Sequence, residues 1–138
     1  DLDPNFRAGL GLLWRSYYMK GDLETAYKEF RTFIERGGTP LEVLVDYDTA
    51  YASSGWPGVL RKNLEIKEQM EGLTSRSPGI SLTEAYAMLG DRQKAIDLLE
   101  ESEKKGSFRR LTFYANPIFD ELLEEPRYRA LLKKLGLI

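Results

Sequence analysis

The chain has 138 residues, of which 42% are hydrophobic, 12% aromatic and 30% charged, a composition typical of one folded domain. It contains no histidine and no cysteine, so it cannot build a Ser-His-Asp triad, a cysteine nucleophile or a thiolate zinc site. The formal net charge of −2 provides no positive field that would attract nucleic acid. We therefore expect no enzymatic activity, no metal and no cofactor, and a protein or peptide as the partner.

The sequence gives no indication of a membrane protein. Its longest run of apolar and glycine residues, from Ala8 to Trp14, is much shorter than the ~20 residues of a membrane span. No secretory signal precedes this run. The first residue is Asp1 and not methionine, which suggests a piece of a longer protein. We expect a cytoplasmic protein that makes no contact with a membrane.

An internal repeat is the strongest pattern in the sequence. At three places a tyrosine is followed four residues later by a glycine, and the three tyrosines are separated by 34 and 35 residues. Apolar residues follow each glycine at the same two distances. The repeated positions are Tyr17, Gly21, Ala26 and Phe30, then Tyr51, Gly55, Leu60 and Leu64, then Tyr86, Gly90, Ala95 and Leu99. Self-similarity at this period predicts stacked structural units.

Each unit is predicted to be a pair of helices, because apolar residues recur at helical spacing on both sides of each glycine. Asp22 and Asp91 directly follow glycines and are expected to be N-caps, and Thr39 with Glu42 is expected to form a capping box. The predicted helices, in chain order, span 4–20, 22–36, 40–54, 57–72, 78–89 and 91–105.

The pattern resembles the tetratricopeptide repeat, a helix–turn–helix unit of 34 residues. The middle unit departs from the family at Asp48 and Leu60, where small residues are usual, and Trp14 stands where the family has glycine or alanine. The matching residues are Leu13, Tyr17, Gly21, Ala26 and Phe30 in the first unit, and Leu82, Tyr86, Gly90, Ala95 and Leu99 in the third. The resemblance implies an all-α fold, a short right-handed α-solenoid of about three helix pairs with a C-terminal helical cap.

The resemblance also implies a domain plan. We expect one domain over 1–138, with 1–6 as the tail of a preceding repeat, helix pairs at 7–38, 39–73 and 77–106, and a cap at 107–138. Short helices are predicted in the cap at 107–114, 117–124 and 126–135, the last two started by prolines. The segment from Leu111 to Leu137 is similar to the end of tetratricopeptide modules in bacterial signalling proteins. It implies a regulatory or scaffold part of a larger bacterial chain.

The family binds extended peptides in a concave groove lined by the first helix of each pair. When the groove positions of the family are transferred according to their place in the repeat, they fall on nine residues of this chain. These are Arg15, Tyr18 and Met19 from the first unit, Val45, Thr49 and Ser53 from the second, and Ile80, Glu84 and Met88 from the third. Because Arg15 is the only base among these residues, the carboxylate clamp of the chaperone-binding branch is not expected. Two alternatives stay open. These residues could form the packed interior of a tightly wound solenoid, or the domain could be a self-association module that forms a homo-oligomer without a peptide ligand.

Trp56 is predicted to lie in the turn between the two helices of the middle unit, beside Pro57 and Gly58. Tryptophan is enriched at binding hot spots, so an exposed Trp56 would be a candidate anchor for a partner. The alternative is that Trp56 folds back onto the neighbouring unit. Asp46 and Asp48 are two residues apart on a predicted helix, so they are not expected to share a face as a catalytic pair would.

Overall fold

The computed structural model describes residues 4–69, 79–106 and 116–138. Within these ranges the chain consists of helices joined by turns and short connections, with no strand, so the predicted all-α class is confirmed. The chain divides into two compact units, Asp1–Ile80 and Ser81–Ile138, and each has its own buried side chains. No helix in the described ranges has both the length and the apolar content that a bilayer crossing requires.

The first unit begins with two helices that pack against each other, α1 (Pro4–Met19) and α2 (Leu23–Arg36). The buried side chains of α2 are spaced so that they lie on one face of the helix, as the apolar periodicity predicts. These residues are Ala26, Tyr27, Phe30 and Ile34. Both helices agree with the predicted 4–20 and 22–36 to within one residue at each end.

The third helix, α3 (Leu41–Gln69), folds back on itself at Gly55, whose φ of 65° and ψ of −153° are not helical. The Tyr47 hydroxyl donates a hydrogen bond of 2.9 Å to Oδ1 of Asn63. On a straight helix these two residues would lie about 24 Å apart, so the halves 41–54 and 56–69 pack side by side. They correspond to the predicted helices 40–54 and 57–72, and residues 70–72 lie outside the described ranges.

The second unit contains α4 (Leu82–Met88), α5 (Arg92–Lys104), a 3₁₀ helix (Pro117–Glu124) and α6 (Pro126–Lys134). Prolines start the last two helices, as predicted, because the first helical position needs no amide hydrogen. The core of this unit is mainly aliphatic and includes Ala85, Ala95, Ile96, Leu99, Ile118, Leu122, Leu131 and Leu132. The predicted helix at 107–114 lies outside the described ranges.

The turn inside the first helix pair recurs in the second unit. Gly21 and Gly90 have φ values of 85° and 88°, a left-handed conformation that only glycine adopts without strain. Each is followed by an aspartate that accepts a hydrogen bond as the N-cap, Asp22 from the Thr25 amide at 3.3 Å and Asp91 from the Lys94 amide at 3.1 Å. The predicted caps at both aspartates are confirmed. The 69-residue offset between the turns equals two repeats of the predicted 34 and 35 residues.

One predicted N-cap and one predicted helix start are wrong. Thr39 does not cap α3, because its buried hydroxyl has no hydrogen-bond partner in the structure as described. Its amide instead donates to the Ile34 carbonyl at 3.1 Å and closes α2. Helix α4 begins at Leu82 and not at 78, because Gly79 has a φ of 121° and Ser81 is the N-cap. The Ser81 hydroxyl accepts from the Glu84 amide at 3.2 Å, so the side-chain cap lies here.

Candidate functional site

The core of the first unit is a cluster of aromatic rings centred on Trp56. The Trp56 ring stacks on Trp14 at a centroid distance of 5.6 Å and meets the edge of Tyr18 at 5.1 Å. Its Nε1 donates a hydrogen bond of 2.9 Å to the carbonyl of Leu23, at the start of α2. Only 3% of Trp56 is exposed, so this residue is part of the core and is not available as a surface anchor.

Of the three predicted groove residues on α1, Met19 is the most accessible, with 39% of its surface exposed. The Arg15 guanidinium lies 4.6 Å from the centre of the Trp14 ring, and its Nη1 donates to the carbonyl of Gly11 at 2.8 Å. Tyr18 is half-buried against Trp56. Arg15 and Tyr18 therefore help to cover the aromatic core, whereas Met19 faces solvent.

The predicted groove residues of the second unit form one exposed row along the first half of α3. Val45, Thr49 and Ser53 are all exposed, and Leu41, one turn earlier, is 71% exposed. At 100° per residue, these four positions span an arc of about 120°. The Thr49 hydroxyl donates a hydrogen bond of 2.8 Å to the carbonyl of Val45, so the hydroxyl proton is already used within the helix. The structure thus brings these three predicted residues together on a free face.

The third set of predicted groove residues is mostly internal. Ile80 is fully buried. The Asn63 amide group pairs with its backbone, accepting from the amide at 3.0 Å and donating to the carbonyl at 2.7 Å. Glu84 is 5% exposed and accepts from Nδ2 of Asn116 at 2.9 Å. Met88 is half-buried. Ile80 and Glu84 are thus buried positions, and neither side chain is accessible to a ligand in this structure.

Asp48, the unusual residue of the middle repeat, joins α3 to α2. It accepts a hydrogen bond of 2.7 Å from the Tyr27 hydroxyl and pairs with Arg31 at 3.2 Å. Burial, followed by the hydrogen bond to Asp48, raises the pKa of Tyr27 above its usual range. Burial alone would raise the pKa of Asp48, but the hydrogen bonds from Arg31 and Tyr27 outweigh it and lower that pKa. Tyr27 is thus held as a neutral phenol and Asp48 as a carboxylate. This pair is suited to joining the two helices and not to transferring a proton.

In the second unit, ion pairs link α5 to α6. Arg127 on α6 pairs with Asp97 at 2.6 Å and with Glu100, both on α5, and Lys134 pairs with Glu103 at 3.0 Å. Hydrogen bonding to Asp97 and Glu100 raises the pKa of Arg127. Glu100, Glu103, Arg127 and Lys134 border a shallow depression of about 270 Å³ between the two helices. Because its acidic and basic groups neutralise one another, the depression offers no unpaired charge cluster to a ligand.

Sequence reasoning missed both polar clusters of the first unit, the Asn63 pairing with Ile80 and the Tyr27–Asp48–Arg31 cluster. The departure of Asp48 from the repeat is the one signal that pointed to a special contact. No group of three or more acidic side chains in the described ranges is arranged to hold a metal ion. Comparison with family models, curated proteins and solved structures finds no match for this chain.

Proposed function

We propose that the chain is a tetratricopeptide-like module that binds a segment of another protein. Its helix pairs would stack as a short right-handed solenoid with a C-terminal cap, and the binding face would include the first half of α3. The observation that carries this proposal is the exposed row of Val45, Thr49 and Ser53 on that helix. The recurrence of the glycine–aspartate turn at Gly21 and Gly90 supports a repeated helix pair.

The chemistry of the described side chains favours binding over catalysis. The sequence has neither histidine nor cysteine. Burial raises the pKa of Tyr47 above its usual range, and Tyr27 is held neutral by burial and by Asp48. A general acid or base works best when its pKa lies near the operating pH, which neither tyrosine satisfies. A role as an interaction module or scaffold requires none of these groups to react.

A double substitution tests the proposed face. Met19→Asp with Val45→Asp places two charges on exposed apolar positions, so we expect normal helicity and at least a tenfold loss of captured partner, since about 1.4 kcal/mol corresponds to tenfold. The measurement is affinity capture from an extract of the source cells, with quantitative mass spectrometry. Tyr18 is unsuitable for this purpose because its ring packs on Trp56, and its removal would disturb the core.

The matched control is Leu123→Asp, which changes an apolar residue of the second unit that is 45% exposed. Under the proposal, Leu123→Asp captures the same partner as the unmodified protein. If the double variant captured it equally well, the face on α1 and α3 would not be the binding site and the proposal would fail.

Self-association is the second candidate, and one observation favours it. Three leucines of the first helix pair are exposed, Leu12 at 53%, Leu13 at 39% and Leu23 at 43%. Exposed apolar side chains can form interaction sites when they lie together. Light scattering over a range of protein concentrations distinguishes the two functions. A constant monomer mass supports the peptide-binding function, whereas a dimer that Leu12→Asp dissociates would establish self-association.

A further inference from the structure

The exposed face of the first half of α3 is acidic as well as apolar. From Gly37 to Leu60 the sequence contains no lysine or arginine. Glu42 and Asp46 are both exposed, and neither forms an ion pair in the part of the chain that the structure describes. By contrast, Glu24 pairs with Lys28 at 3.6 Å and Glu65 with Lys62 at 3.4 Å in the same unit. Two negative charges on this face are therefore uncompensated.

The apolar and acidic side chains form two neighbouring rows. At 100° per residue, Leu41, Val45 and Thr49 lie at about 0°, 40° and 80°, and Glu42 and Asp46 at about 100° and 140°. The next positions toward the C-terminal end, Ala52 and Ser53, are small and exposed, so nothing on this helix covers either row. Residues four apart on a helix are neighbours about 5–6 Å apart, so each row is continuous.

We propose that this face binds a basic, amphipathic segment of a partner protein, with apolar side chains against Leu41 and Val45 and with lysine or arginine against Glu42 and Asp46. The inference rests on the proposed function and specifies its ligand. Charge complementarity is the argument, because an acidic surface attracts a cationic segment and repels an anionic one. The apolar row supplies the area that holds the segment once it has docked.

Two synthetic peptides of equal length test the inference. Both carry leucine at helical spacing, one with lysine and the other with glutamate at the remaining positions. Binding to the whole chain is measured by fluorescence anisotropy of a dye on the peptide. We expect the Leu/Lys peptide to bind at least about tenfold more tightly than the Leu/Glu peptide, since two surface charges change from attraction to repulsion. Raising the salt concentration should reduce that difference.

Charge reversal locates the binding site. Glu42→Lys with Asp46→Lys should weaken the Leu/Lys peptide about tenfold and improve the Leu/Glu peptide. The control, Glu65→Lys with Glu68→Lys, makes the same change of net charge on exposed positions of the second half of α3. It should leave the preference for the basic peptide in place. Equal losses in both double variants would show attraction to net charge alone and would overturn the inference.

An apolar variant separates this inference from the proposed function. Leu41→Ser with Val45→Ser should weaken the Leu/Lys peptide while circular dichroism stays unchanged. If both peptides bound equally and this variant weakened both, the face would be a binding site but the partner would not be basic. If neither peptide bound the unmodified chain, the inferred ligand chemistry would be wrong, and the capture experiment with Met19→Asp and Val45→Asp would still decide the proposed function.

Discussion

The two units of the molecule use the same turn but different side chains to hold their helices together. In each, a left-handed glycine and an aspartate N-cap reverse the chain, at Gly21 in the first unit and at Gly90 in the second. The first unit then packs aromatic rings around Trp56, whereas the second packs aliphatic side chains and adds the ion pairs of Arg127.

This difference shows that the turn residues are more tightly constrained than the side chains that pack between the helices. The turn needs a residue that tolerates positive φ and an acceptor for the first free amides of the next helix, and few residues meet these needs. The space between helices needs only the correct volume of apolar atoms, which several side chains supply. Asp48 illustrates that freedom, since a charged residue packs between α3 and α2 where Tyr27 and Arg31 bind it.

The largest effect is expected from removing the centre of the aromatic cluster. Trp56→Ala should lower the free energy of unfolding by about 3–5 kcal/mol, because it leaves a cavity beside Trp14 and removes the hydrogen bond to the Leu23 carbonyl. Leu132→Ala is the counterpart in the second unit, at a fully buried aliphatic position, with an expected cost of about 2–5 kcal/mol. Urea unfolding followed by circular dichroism measures both. A smaller loss for Trp56→Ala than for Leu132→Ala would contradict the central role of the rings.

A smaller effect is expected from the glycine that brings the two halves of α3 together. A Cβ at Gly58 would lie 2.6 Å from the Ala50 carbonyl oxygen and 2.8 Å from Cβ of Ser54. Gly58→Ala should therefore force the halves apart and cost about 1–3 kcal/mol. Gly9→Ala is the control, because a Cβ at this exposed helical position meets no atom within 4 Å. It should stabilise the protein by about 0.5–1 kcal/mol, and a cost at Gly9 equal to that at Gly58 would refute the close approach.

The smallest effect is expected from the ion pairs of the second unit. Arg127→Gln removes the pairs with Asp97 and Glu100 at the exposed junction of α5 and α6. Exposed pairs contribute little, since water and salt screen them. The melting temperature should fall slightly in dilute buffer and match that of the unmodified protein at about 1 M salt. A large drop that persists in high salt would show that Arg127 contributes by packing and not by charge.

The sequence predicts the local features of this fold more accurately than the long-range contacts. Helices, glycine turns and the caps at Asp22 and Asp91 depend on residues within one or two turns of each other. The burial of Trp56 depends on Leu23, which lies 33 positions away, and the pairing of Asn63 with Ile80 spans 17 positions. A repeat phase predicts which helix face a residue occupies but not which distant group it meets. For that reason positions taken from the same repeat phase are exposed at Val45, Thr49 and Ser53 but buried at Ile80 and Glu84.

The stacked indoles give the first unit an optical signal of its own. The sequence contains two tryptophans, Trp14 and Trp56, and their rings lie 5.6 Å apart and within 20° of parallel. Chromophores at this distance share their excited states, so the pair should produce an exciton couplet in the circular dichroism spectrum. Light that excites indoles but not phenols is absorbed only by residues of Asp1–Ile80. The emission of the unmodified protein can thus follow events in that unit without an attached dye.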